Sequence, residues 1–299
     1  MIVVGDIVTD VVVRQQGPLA AGSDTAADIR MMGGGSAANT AAWLAAQGAD
    51  VTLCGVVGDD DAGAVRLAEL SSLGVRCAVR RAPGAGTGSV IVLSDGDQRT
   101  MLCGRGANAL LTPADVDAAL ATHSGAGHLH LSGYVFFDET CAPAGRHALT
   151  AARAHGFTTS VDAASAAPLR RLGPARFAEW VRGVDLLLAN LDEAAVLAGT
   201  VATDAAALAA ALAPLAHRVI VKCGAGGAVW TGPDGPHRAA AQQVARVVDP
   251  TGAGDAFAAG LLAAWLAGAG PTAALAAGTR LGARAVTLLG GRPPAAPPA

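Results

Sequence analysis

The sequence predicts an α/β fold in three layers, with a mostly parallel central sheet and a small separate β unit. Three observations carry this prediction. Short apolar runs alternate with alanine-rich helical stretches along most of the 299 residues, a pattern that argues a parallel sheet covered on both faces. Two turn-rich segments, 11–32 and 76–105, break the alternation and supply the β unit. A chain of this length can bury a full α/β core plus a small appendage, so one domain spanning 1–299 is expected, with the β unit inserted in it.

Taken in order, Val/Ile/Leu-rich runs predict strands over 2–4, 51–57, 128–131, 158–161, 184–189, 219–222 and 228–231. Helices are expected between most of them, for example over 62–73, 113–121, 142–155, 191–198 and 204–215. Within the β unit, 89–94 and 99–103 form a hairpin across 95–98. The 23 residues from 256 to 278 hold no charge, which is long enough to span a bilayer. Gly268, Gly270 and Pro271 interrupt them, and eleven are alanine against four leucines and no isoleucine, so two buried helices are expected, one ending near Gly268 and one starting at Pro271. The first thirteen residues carry Asp6 and Asp10 with no basic leader and read as strand, not signal peptide. The tail from Arg292 to Ala299 is proline-rich and irregular.

The most informative stretch is Asp249-Pro250-Thr251-Gly252-Ala253-Gly254-Asp255-Ala256-Phe257. Gly252 and Gly254 permit backbone angles that let successive N–H groups converge where the positive end of a helix dipole also lies. An anion belongs there. Asp255, on the first helical turn, would repel that anion unless it accepts a proton from an attacking alcohol. Near the start, Gly33-Gly34-Gly35-Ser36-Ala37-Ala38-Asn39 opens a helix that Gly48 ends, so open amides and small polar groups face one ligand site. A glycine loop that merely packs a helix against a sheet would explain these glycines but not Asn39.

The two stretches resemble the second and first signatures of the ribokinase-like (PfkB) carbohydrate kinases. The resemblance implies a three-layer ribokinase-like fold with a β lid, and an ATP-dependent kinase that phosphorylates a primary hydroxyl of a small sugar. By it, Asp255 is the catalytic base and the amides of Gly252, Ala253 and Gly254 form the anion hole. Gly34, Gly35 and Asn39 bind the acceptor sugar, joined by Asp10, which follows the first strand and would bond sugar hydroxyls. Asn190-Leu191-Asp192-Glu193 looks like the family's N-x-x-E motif, in which Asn190 and Glu193 order magnesium and its waters. Lys222, Gly224 and Gly227 belong to a strand and glycine turn of the kind that lies along the nucleotide. A monovalent cation, potassium, is implied behind the anion hole at Asp249, Thr251 and the turn from Ala285 through Gly290 to Gly291. Asp249 reads equally as a loop cap, and Arg292 replaces the small polar residues that can complete such a cage, where it could supply the positive charge itself.

The acceptor is less defined. Ser36 departs from the lysine often found at that place in ribokinases proper, whereas Gly104-Arg105-Gly106-Ala107-Asn108 resembles a segment of many sugar kinases. Tyr134, Phe136 and Phe137 follow a strand end, where they could stack on a nucleobase or simply pack in the core, so a nucleoside kinase of the same family is the alternative. Asp162, after the strand over 158–161, can also face the pocket. A non-catalytic sugar binder of this fold would need the glycines and Asn39 but has no use for Asp255.

Other classes fail on the residues. The single lysine, Lys222, lies between Val221 and Cys223, which excludes a P-loop, and Phe257 stands where a dinucleotide fingerprint needs its last glycine. A formal net charge of −3, without basic runs, gives no surface for nucleic acid. Five cysteines with no C-x-x-C pair indicate neither zinc nor a disulfide framework, and a reducing cytoplasm is expected. An isolated small sheet with one exposed face needs a cover, which points to a homodimer through the lid.

Overall fold

The computed structural model describes residues 1–95 and 98–294. The strands are β1 (Ile2–Val4), β2 (Val8–Gln15), β3 (Ala27–Gly34), β4 (Thr52–Gly58), β5 (Arg76–Ala82), β6 (Gly88–Asp95), β7 (Gln98–Gly104), β8 (His128–Ser132), β9 (Thr158–Asp162), β10 (Val184–Asn190), β11 (Ala216–Lys222), β12 (Ala228–Thr231) and β13 (His237–Ala239). The helices are α1 (Ser36–Ala46), α2 (Asp61–Ser72), α3 (Pro113–Leu120), α4 (Ala142–Ala154), α5 (Ala166–Leu172), α6 (Pro174–Val181), α7 (Leu191–Ala198), α8 (Ala205–Leu212), α9 (Ala253–Leu266) and α10 (Pro271–Ala285).

Nine strands form the main sheet in the order β13-β12-β11-β10-β9-β8-β1-β4-β5. Its pairs from β11 through to β5 are parallel, and β12 and β13 add an antiparallel edge. Both faces are covered, so strand residues feed two cores in alternation. Leu187 and Ala189 of β10 join one cluster with α4 and α8, while Leu186 and Leu188 join the other with α1, α9 and α10. Truncating a leucine such as Leu187 to alanine would cost about 2–5 kcal/mol.

Strand order reverses direction at β1: the chain runs outward through β4 and β5, then returns to build β8 to β11 on the other side. A crevice outside the carboxyl ends of the strands is expected at such a switch point. The second sheet, ordered β3-β2-β6-β7, stands over that crevice.

Several sequence expectations are corrected here. Segment 76–82 belongs to the main sheet as β5, pairing parallel with β4 from Thr52↔Arg76 to Gly58↔Ala82, and not to the β unit. Its arginines disguise it, because an edge strand tolerates charge; Arg80 binds Asp115 (2.7 Å), and Arg76 and Arg81 pair with Asp50 and Asp59. The first thirteen residues are two strands broken at Gly5, where φ is +148°. Helices α5 and α6 were not expected; Gly173 (φ +95°) and Pro174 split them into pieces too short to show a period. The hairpin partners pair antiparallel, while residues 96 and 97 of their turn lie outside the described residues, as does the tail beyond Pro294. The apolar stretch is two helices, α9 and α10, and among the described residues no helix is long and apolar enough to cross a membrane.

Candidate active site

A cavity of about 550 Å³ opens at the carboxyl ends of the parallel strands, beneath the second sheet. Its walls bring together Asp10, Gly35, Asn39, Asn190, Glu193, Lys222, Gly224, Thr251, Gly252, Gly254 and Asp255, residues from five separated stretches of sequence. Expected site residues that do not reach the wall have other places. Gly34 lies behind Asp10, where a Cβ would fall on the Asp10 carboxylate. A Cβ at Gly227 would collide with the Ala239 carbonyl, so that glycine serves the approach of β13 to the β11–β12 turn. Ala253 is off the wall, and its N–H donates to the Pro250 carbonyl at 3.3 Å, which leaves Gly252 and Gly254 to present backbone to the cavity.

Asp255 sits in the first turn of α9, after Gly252 in the left-handed region (φ +74°). Any side chain at Gly252 would strike the Gly291 backbone. Both oxygens of Asp255 are held: the Ser36 hydroxyl donates to Oδ1 and the Asn39 amide to Oδ2, each at 2.9 Å. Burial raises this carboxyl to about 6 despite those donors, with Asp162 pushing the same way and Lys222 opposing. A carboxylate poised there can take a proton at neutral pH.

Asp10 is also raised to about 6 by burial, with Arg292 and Arg66 pulling it down and Asp249 pushing it up. It faces the cavity from β2 as a buried acceptor. Asp6, just past β1, pairs with Arg105 at 3.1 Å, and Arg105 also donates to the Tyr134 carbonyl at 2.9 Å. Asn108 clamps the Ile7 backbone, donating to its carbonyl and accepting from its N–H, both at 2.9 Å. Of the three aromatics after β8, Tyr134 lines the cavity, whereas Phe136 is buried core.

Beside Gly254, Lys222 at the end of β11 donates to Asp162 at the end of β9, at 2.5 Å. Burial alone would lower the ammonium pKa, yet attraction to Asp162 and then Glu193 holds it above the ordinary value. Asn190 and Glu193 form a capping box on α7: Glu193 accepts from the Asn190 backbone (2.8 Å) and amide (2.7 Å), and Asn190 accepts from the Glu193 N–H (2.9 Å). Burial pushes Glu193 up, against the pull of Lys222. A buried carboxylate next to Asp162, with acceptor capacity left on its oxygens, suits a hard cation held through its waters. Below Asp162, on the same face of the sheet, His128 and His130 share the Ser160 hydroxyl at 2.7 Å each, and burial drives His130 down to about 4.

Behind the turn, Asp249 is buried, accepting from Thr251 N–H at 2.8 Å and Gly290 N–H at 3.0 Å. The Ala285 carbonyl closes the end of α10 by accepting from Leu288 at 3.0 Å. Sequence reasoning missed the Ser36–Asp255 bond, the Asp6–Arg105 pair and the partners of Arg292, because each joins residues distant in sequence without a motif.

An aspartate at a helix N-terminus, glycine backbone before it and an ammonium beside Gly254 fit a phosphotransferase acting on an alcohol. The chain belongs to the PfkB family of carbohydrate kinases, whose model matches residues 1–297. It is 35% identical over 256 residues to the ATP-dependent ribose-1-phosphate kinase of Halopiger xanaduensis, covering 83% of this chain and 78% of that one. The adenosine kinase of Sinorhizobium meliloti superposes with a TM-score of 0.87 at 25% identity, over 98% of this chain and 95% of that one. A putative ribokinase II of E. coli in complex with ATP and Mg2+ shares the fold, with a TM-score of 0.84 at 23% identity over 97% and 93% of the two chains. The chain is an ATP-dependent sugar or nucleoside kinase of this family.

Proposed function

We propose that this kinase transfers the γ-phosphoryl group of ATP to a primary hydroxyl of a small sugar or sugar phosphate. The observation that supports it best is Asp255, half-buried at the start of α9 and facing the cavity that Asp10 enters from the second sheet. Asp255 orients and deprotonates the hydroxyl, the backbone at Gly252 and Gly254 receives the phosphoryl oxygens, and Lys222, whose ammonium lies beside Gly254, offsets their charge. Asn190 and Glu193 would hold magnesium through its waters, and the ion would neutralise charge on the nucleotide phosphates. The second sheet, as a lid, would exclude water that otherwise competes as acceptor.

The Halopiger relative, named for ribose-1-phosphate, favours a pentose derivative. Tyr134 on the cavity wall and the adenosine kinase likeness favour the second reading, a nucleoside acceptor. A phosphorylation screen with ATP against pentoses, pentose phosphates, hexoses, sugar acids and nucleosides decides between them; turnover with none would reject the kinase reading of the site.

The outer face of the second sheet supports a homodimer. Ile29, Met31, Ile91 and Leu102 share that face in register and are exposed, Met31 by 74%. Sedimentation of the wild type and Met31→Glu tests it: a monomeric wild type would reject the dimer. Five cysteines without disulfides among the described residues fit a reducing compartment.

A further inference from the structure

The chain returns to the acceptor site after α10. Gly291 accepts from the Trp43 indole of α1 at 2.9 Å and packs against Gly252 and Asn39, and the next residue, Arg292, turns into the protein. Its side chain is only 8% exposed; Nη2 donates to the Gly34 carbonyl at 2.9 Å and Nη1 to Glu69 of α2 at 3.1 Å.

Successive side-chain directions alternate along a strand, and here they separate two charges. A Cβ on Gly33 would fall on the Arg292 guanidinium, and one on Gly34 would fall on the Asp10 carboxylate. Arg292 and Asp10 therefore flank the last two residues of β3 from opposite sides. That strand end leads directly into Gly35 and the turn that delivers Ser36 and Asn39 to Asp255.

The charges do not balance without Asp10. Glu69 is shared between two buried guanidiniums, accepting from Arg66 at 2.7 Å and from Arg292. Among the described residues, Nε of Arg292, and Nε and Nη1 of Arg66, have no hydrogen-bond partner. An excess buried cation is costly unless another anion offsets it, and Asp10 lies within the field of both arginines. An aliphatic side chain could fill the same space but would neither bond the Gly34 carbonyl nor complement Asp10.

We propose that Arg292 is a positioning residue for the acceptor: by bonding the Gly34 carbonyl and placing its charge across β3, it holds Asp10 and the Gly34–Gly35 turn in the geometry that receives sugar hydroxyls. The inference rests on the reading of Asp10 as an acceptor-binding residue. It makes the C-terminal segment part of the recognition apparatus.

Steady-state kinetics on the full chain test it, with the acceptor found by the phosphorylation screen. Arg292→Met should raise the acceptor KM about tenfold or more, with the ATP KM changed by less than about threefold. Arg292→Lys, which keeps the charge and guards against a misfolded methionine variant, should show the same split at smaller size. In an Asp10→Asn background, Arg292→Met should add less than about threefold. Equal rises in both KM values, or fully multiplicative effects of the two substitutions, would overturn the proposal. An unchanged acceptor KM in Asp10→Asn alone would instead remove the reading of Asp10 on which it rests.

Discussion

Asn39 donates its side-chain amide to Oδ2 of Asp255 at 2.9 Å, joining the first glycine-rich stretch of the chain to the second across 216 residues. Ser36 does the same for Oδ1. The acceptor loop and the catalytic turn are thus one hydrogen-bonded unit, and a residue expected only to bind sugar also fixes the base.

Replacing Asp255 by asparagine removes the proton acceptor while keeping the shape and a bond to Ser36. The expected outcome is a loss of about 10²- to 10⁴-fold in kcat with nucleotide binding retained. Near-normal turnover of Asp255→Asn in a coupled assay would refute its role as base.

Asp10 and Asn39 should separate in their effects. Asp10→Ala should weaken acceptor binding by about 1–3 kcal/mol and leave ATP binding unchanged, because a buried acceptor hydroxyl is left without its partner. Asn39→Ala should weaken acceptor binding and also lower kcat, since Asp255 loses one of its two donors. Titration calorimetry with each ligand, alongside kcat, checks this; unchanged acceptor affinity in both variants would discard the assignment.

Much of this was legible in the sequence for a physical reason. Glycines with forced backbone angles and an acid at a helix start are local features, so Gly252 and Asp255 declare themselves. Strands β1 and β12 match their predicted bounds, since both are mostly buried apolar runs that stop at a glycine, Gly5 and Gly232. What stayed hidden is long-range or masked by charge. Ser36 and Asp255 are 219 residues apart, and Arg292 reads as part of a proline-rich tail until the fold places it against Gly34. Strand β5 was misplaced because its solvent-side arginines break the apolar run by which the other strands are read.

Acid should silence the enzyme within a narrow range. Burial raises both Asp255 and Asp10 to about 6. A raised carboxyl is ionised above that value and takes up its proton as pH falls through it, so the base is present at pH 7 and lost below 6. Acceptor kcat/KM should fall about tenfold per unit below pH 6 for each group that must be ionised. Asp10→Asn should leave a shallower limb due to Asp255 alone. A flat profile between pH 7 and 5 would contradict the raised base.

The loop behind the catalytic turn yields the last prediction, activation by potassium. Asp249 is buried between Thr251 and the tail, and its carboxylate accepts from the Thr251 and Gly290 amides at 2.8 and 3.0 Å. Those two bonds already staple the turn to the tail, which is the loop-cap role. Carboxylate and carbonyl oxygens together suit a hard cation, and the turn from Ala285 to Gly291 brings its carbonyls next to Asp249. The Ala285 carbonyl is bonded to Leu288 through one lone pair. Arg292, which could have replaced the ion, bonds Gly34 and Glu69 instead. A cation beside Asp249 would offset its buried charge and stiffen the turn whose backbone meets the phosphoryl oxygens, so it would act on kcat through preorganisation. Rates measured in potassium, sodium and tetramethylammonium chloride at equal ionic strength check it. A higher kcat in potassium is expected, abolished by Asp249→Asn; equal rates in all three salts would leave Asp249 as a staple alone.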